Sequence, residues 1–162
     1  MGPPLSAGTR AQKRDVLGLL WRRVFYQPTN EFRAFAEQDH LHCHTQITTA
    51  FVLFLADGHA WYAALAQEFH SRTPTEPDDL AGSLIRAHHA AELHCLIASA
   101  DLQRYAVPLL PETERKGAAS SVRRQYLTAV CRDPRHGSLC NRLGVVEQER
   151  GDCVAAAWWF CR

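Results

Sequence analysis

Apolar residues recur along this chain at intervals of three and four, and nowhere at a sustained interval of two. That pattern constrains the fold more than any other feature. It places side chains on one face of a helix and denies a strand the alternation it needs. Asn-Gly, the strongest hairpin dipeptide, is absent as well. The sequence therefore predicts an all-α protein.

The spacing predicts a first helix from Asp15, with Val16, Leu19, Leu20 and Val24 on one stripe and Trp21 and Phe25 beside it. Pro28 has no N–H to give and is expected to break or kink this helix, which then resumes over Glu31–Gln38. A second helix is expected from Thr45 to about His70, with Ile47, Ala50, Phe51, Phe54, Trp61, Leu65 and Phe69 at helical intervals. Gly58 within it costs about 1 kcal/mol relative to alanine. A third, Asp79–Ala106, lines up Leu80, Leu84, Ala87, Ala91, Cys95, Ala98 and Leu102 until Pro108 stops it. Shorter helices are expected over Ala118–Arg132, Ser138–Arg150 and from Asp152 onward. Between them, Met1 to about Arg10 reads as a disordered tail, Asp39–His44 as a connector, and the stretch holding Pro74 and Pro77 as a loop. Pro111–Gly117 reads as a flexible connector.

The last third carries a repeat register. A tetratricopeptide unit pairs two antiparallel helices, with small residues where they cross and proline closing the second. Leu143-Gly144 stands where the unit wants Leu-Gly, Gly151 stands at the turn, and Ala156 and Phe160 fill the small and large slots. One unit earlier, Tyr126, Ala129 and Pro134 fall into the corresponding large, small and stop slots. Gly144 and Ala156 would let two backbones approach while Phe160 and Tyr126 fill the gaps.

Three stretches carry a family resemblance: Leu20–Gln27 followed by Phe32 and Arg33; Cys95–Tyr105; and Arg124–Val146 running into Gly151–Arg162. In order and spacing they resemble the N-terminal module of the SMG-group nonsense-mediated mRNA decay factors, relatives of the telomerase-associated Est-one proteins. They look nearest to the branch whose full-length members carry a C-terminal nuclease. The sequence departs from the family pattern at Ser99-Ala100, at Ala106 in place of a second arginine, at Cys140-Asn141-Arg142-Leu143, and at Pro28.

The resemblance implies a 14-3-3-like helical bundle over 13–117, after a tail at 1–12, continuing into incomplete tetratricopeptide-type hairpins over 118–162. It also implies an adaptor in the cytoplasm and nucleus that binds a phosphorylated protein, notably the pathway's RNA helicase, together with related decay factors. A telomerase- or telomere-linked role is a second implied process. Phosphate recognition needs cations converging on one dianion, and arginine serves best because its planar fork meets phosphate bidentately. By the same resemblance Arg104 and Tyr105 on the third helix, with Arg22 and Arg23 on the first, are the expected phosphopeptide-binding residues. Residue by residue, the alternative is an Arg104–Asp101 helix pair of a few tenths of a kcal/mol and ordinary surface charges at Arg22 and Arg23.

The formal net charge is +1, so no bulk attraction draws the chain to nucleic acid or membrane. A local strip of Arg123, Arg124, Arg132, Arg135 and His136, extended by Arg142 and Arg150, is a rival RNA or telomeric DNA contact surface if it lies on one face. A third reading is a scaffold fragment with no working pocket. His40, His42, Cys43 and His44, and separately His88, His89, His94 and Cys95, offer zinc-type ligands. Their bland reading, a polar connector and a partly exposed helix face, is preferred, and no metal or other cofactor is expected. Six cysteines occur without a CxxC pair. They read as small hydrophobes of an intracellular protein. No cysteine or serine sits in a nucleophile signature, so no enzyme is expected. No signal peptide or membrane-spanning run is expected either. Trp158, Trp159 and Phe160 are expected at an unfinished repeat edge, which favours self-association.

Overall fold

The computed structural model describes residues 15–38, 44–72 and 79–162. The expected tail, the His40–Cys43 part of the His/Cys cluster and the Pro74–Pro77 loop lie outside them. The described residues hold helices and no strand, as the spacing predicts. The elements are α1 (Val16–Leu20), a π turn (Trp21–Tyr26), α2 (Gln27–Gln38), α3 (His44–Ser71), α4 (Asp79–Ala106), a 3₁₀ turn (Val107–Leu109), α5 (Glu112–Arg132), α6 (Gly137–Glu149) and α7 (Cys153–Phe160). They divide into two compact units, Met1–Ile47 and Thr48–Arg162. The boundary expected near residue 117 falls within α5, inside the second unit.

In the first unit Asp15 caps α1, its carboxylate accepting from the Gly18 N–H at 3.1 Å. Pro28, expected to break or kink the helix, does not break it. The π turn precedes it, and the Gln27 N–H reaches back to the Arg22 carbonyl. The wider i→i+5 turn adds one residue per turn. Beyond it, the covered face moves by one residue along the sequence. The expected stripe is not the buried one: Val16, Leu19 and Val24 stay exposed, while Gly18, Phe25 and Thr29 are buried.

In the second unit α3 buries Phe51, Leu55, Gly58, Tyr62 and Ala66, and leaves Trp61 exposed. The buried face therefore sits about one residue away from the line drawn through Phe54 and Trp61. His59 fastens α3 to α4: the Ser99 hydroxyl lies 2.8 Å from its Nδ1. Contrary to expectation, α3 is long and apolar enough to cross a membrane by length and composition. The core helix of a soluble protein passes the same test, and Asp57, His59 and Glu68 lie along it.

The stretch 111–117 is not a connector. Helix α5 begins at Glu112, with Pro111 as its cap and Glu112 and Glu114 in the first turn. Proline costs little at a helix start, and early acids complement the macrodipole. The Arg115 Nε–H donates to the Leu110 carbonyl at 2.8 Å and ties the turn below it. Helices α4 to α7 then enclose a core that includes Ile97, Val122, Tyr126, Leu139, Leu143, Val146 and Trp159.

Helix α6 ends in a Schellman turn. Asp152 N–H bonds the Glu147 carbonyl at 2.9 Å and Gly151 N–H bonds the Gln148 carbonyl at 3.0 Å, with Gly151 at φ +82°. Glycine meets that left-handed conformation without penalty. Asp152 then caps α7, accepting from the Ala155 N–H at 2.9 Å. The α6–α7 hairpin closes on Gly144, where an added Cβ would lie 2.4 Å from the Phe160 ring.

Candidate functional site

The last turns of α4 carry Asp101, Arg104 and Tyr105. Spacing of three puts Asp101 and Arg104 on one side of the helix. Asp101 is buried, and a buried carboxylate must be paired. Tyr126 of α5 donates its hydroxyl to Asp101. Arg142 of α6 donates from Nε to both carboxylate oxygens, at 2.9 and 3.1 Å, and from an Nη to the Ser138 carbonyl at 3.2 Å. One acid thus collects two donors from two other helices.

Arg104 lies against the same group. Its guanidinium carbon sits 4.6 Å from the centre of the Tyr105 ring. Its Nη1 is 3.8 Å from an oxygen of Glu149, and its buried Nε has no hydrogen-bond partner. Burial pushes the Tyr126 phenol upward, and the charge of Asp101 adds to that. For Arg142, burial pulls the guanidinium down, but Asp101 outweighs it and the net direction is up. Arg104 also moves up against its own burial, through Tyr126, Tyr105 and Asp101. Both arginines are therefore held as cations.

Two more buried acids are treated the same way. Glu92 of α4 takes Arg132 of α5, with His70 of α3 at 3.2 Å and His89 at 3.8 Å. Glu147 of α6 takes Arg123 of α5, with Arg150 at 3.4 Å. Three acids buried to within a few per cent thus become struts between helices.

This arrangement redistributes the residues expected from sequence. Arg104 and Tyr105 are brought together, and the second cation beside them is Arg142. Sequence reasoning placed Arg142 in an extension of the basic strip and in the Cys140–Leu143 departure from the family pattern. Its spacing of forty-one residues from Asp101 gives no local signal. Arg22 and Arg23 belong to the other unit, where Arg22 pairs with Asp15 at 2.9 Å and both line a shallow cleft with Tyr26 and Asn30. Of the basic strip, Arg123 and Arg132 are engaged by buried acids. Arg124 and Arg135 are exposed.

The second His/Cys group does not assemble as ligands. His88 stands edge-on to Phe69 at 5.7 Å and His94 lies 6.3 Å from the Tyr62 ring. Cys95 is fully buried, and its thiol is pushed up to about 12, first by burial and then by the charge of Glu92. Among the described residues no group of three or more His, Cys, Asp or Glu could hold a metal.

Fold and site together describe an all-α chain whose buried charges link its own helices. No family model matches it, and no curated protein matches it either.

Proposed function

We propose that this chain is a non-catalytic protein-interaction adaptor, and that nonsense-mediated mRNA decay is the process it serves. The pathway rests on the resemblance of the stretches at Leu20–Gln27, Cys95–Tyr105 and Arg124–Arg162. One observation supports the adaptor role. Glu92, Asp101 and Glu147 are each spent on fastening one helix to another. Such a layered helical body serves by the surface it presents. Co-purification from cell extract is expected to recover decay factors with the intact chain. Recovery no greater than with a chain carrying Leu143→Asp, which should unfold the core, overturns the reading.

A second reading, phosphopeptide binding at Arg104 and Tyr105, is favoured by one observation. The Arg104 Nε lacks a partner and its nearest carboxylate, Glu149, is exposed. A phosphate could take the place of Glu149, although Asp101 would repel it. That repulsion is why the adaptor reading without a phosphate pocket comes first. A phosphoserine peptide is expected to bind more tightly than its unphosphorylated twin and to lose that preference with Arg104→Glu. Equal binding of the two peptides removes the phosphate pocket.

A further inference from the structure

A groove beside the Arg104–Glu149 pair is lined by Val107 and Pro108 of the 3₁₀ turn, the start of α5 and the end of α6. Its polar wall carries Arg115, Lys116 and Arg150 against Glu112 and Glu149. Both wall acids are already answered: Glu112 by Arg115 at 2.9 Å and Glu149 by Arg104 at 3.8 Å. Arg150 is fixed from two sides, by Glu147 at 3.4 Å and by the Ser120 hydroxyl at 3.3 Å. Glu147 is itself already held by Arg123, so Arg150 is only half spent. Lys116 is exposed, and no carboxylate among the described residues pairs with it. The wall therefore has cationic capacity to spare, partly as a guanidinium held in position. Val107, Pro108 and Ala119 give the groove an apolar side.

We infer that this groove docks an acidic segment of a partner protein, with a carboxylate on Lys116 and Arg150 and a neighbouring aliphatic side chain on Val107, Pro108 and Ala119. The physical reason is complementarity. Charge-assisted hydrogen bonds reward a carboxylate, and the apolar side rewards a residue beside it. An acidic partner is also steered toward the spare charge. Arg115 is held by the Leu110 carbonyl and Glu112, so it shapes the wall and keeps Glu112 from competing. The inference rests on the adaptor reading and gives it a docking face.

The probe is a fluorescein-labelled peptide with two glutamates flanked by leucine and valine, titrated by anisotropy onto the full chain. Its comparators carry glutamine, or phosphoserine, in place of the glutamates, and a short single-stranded RNA is the fourth arm. The glutamate peptide is expected to bind about tenfold more tightly than its glutamine twin. Lys116→Glu should abolish that difference with the melting temperature unchanged, because the side chain is exposed. Lys116→Arg should retain it. Equal binding of the glutamate and glutamine peptides overturns the inference, and so does binding lost with Arg104→Glu but kept with Lys116→Glu. RNA that binds more tightly, displaces the glutamate peptide and is lost with Lys116→Glu also overturns it. If the groove fails while decay factors still co-purify, the adaptor reading stands with its face elsewhere. If neither is found, both fall.

Discussion

The helical run of residues 16–38 and the α4–α7 stack use similar apolar side chains and keep them differently. In the run, Val16, Leu19, Val24, Tyr26 and Phe35 remain exposed, and Phe25 is its buried large side chain among the described residues. In the stack, Val122, Tyr126, Leu139, Leu143 and Val146 are at most 1% exposed. The difference is not hydrophobicity alone. The stack also buries three acids and gives each an arginine from another helix, whereas the Arg22–Asp15 pair of the run is more than half exposed. An exposed pair contributes little. A buried pair that loses one partner leaves a costly charge behind.

That contrast can be broken from either side. The largest effect is expected from Asp101→Ala, which strands Arg142 and the Tyr126 hydroxyl. It should cost about 3–5 kcal/mol in denaturant unfolding, and a cost under about 1 kcal/mol would mean the strut is ornamental. Next comes Gly144→Ala, whose new methyl must displace the Phe160 ring. It should cost about 1–3 kcal/mol. Added to Phe160→Ala, the same substitution should cost far less, because the obstructing ring is gone. Full additivity of the two changes would place the collision elsewhere. Asp15→Ala removes the cap and the Arg22 pair, and about 1 kcal/mol is expected. Because the cap and the pair lie within residues 15–22, the loss should appear as fraying of residues 16–20 by hydrogen exchange. An equal drop in the protection of α6 would erase the contrast.

The smallest effect separates the cysteines. Native alkylation should label Cys131, Cys153 and Cys161, which are exposed, before Cys95 and Cys140, which are buried. The Cys95 thiol ionises near 9.0 when unburied and near 12 in the fold. Above about pH 9 the unfolded chain therefore binds fewer protons at this site than the folded chain. Its stabilising contribution is complete below that pH and fades as pH climbs toward 12. Fast labelling of Cys95 in the native chain would show that α4 opens.

Much of the helical framework was legible because its signals are local. Asp79 and Ala106 bound α4 as periodicity and Pro108 indicated, and Gly151 and Asp152 mark the turn into α7. The buried faces were less legible. One extra residue in the π turn shifts the face beyond it, and no spacing rule in the sequence announces such a turn. The polar start of α5 was misread because Glu112–Gly117 has no apolar periodicity and is mostly exposed. Its helicity comes from Pro111, the early acids and the Arg115–Leu110 bond. Of the charge cluster, only Asp101, Arg104 and Tyr105 were legible together, as neighbours on one helix. Arg142, Tyr126 and Asp101 meet through the packing of three helices, and separations of 25 and 41 residues leave no motif.

The widened turn at Trp21–Tyr26 also sets how tolerant that helix is to changes of length. Such a turn is an ordinary helix carrying one residue to spare. Deleting one residue there would leave the backbone bonding able to close as a plain α-helix, so far-ultraviolet dichroism would barely move. Everything downstream would keep its facing, because the widened turn absorbs that residue locally, and Thr29 would stay on its buried side. A single lost codon at this point would thus preserve both the helix and its facing, whereas the same loss from a plain turn would rotate the remainder by about 100°.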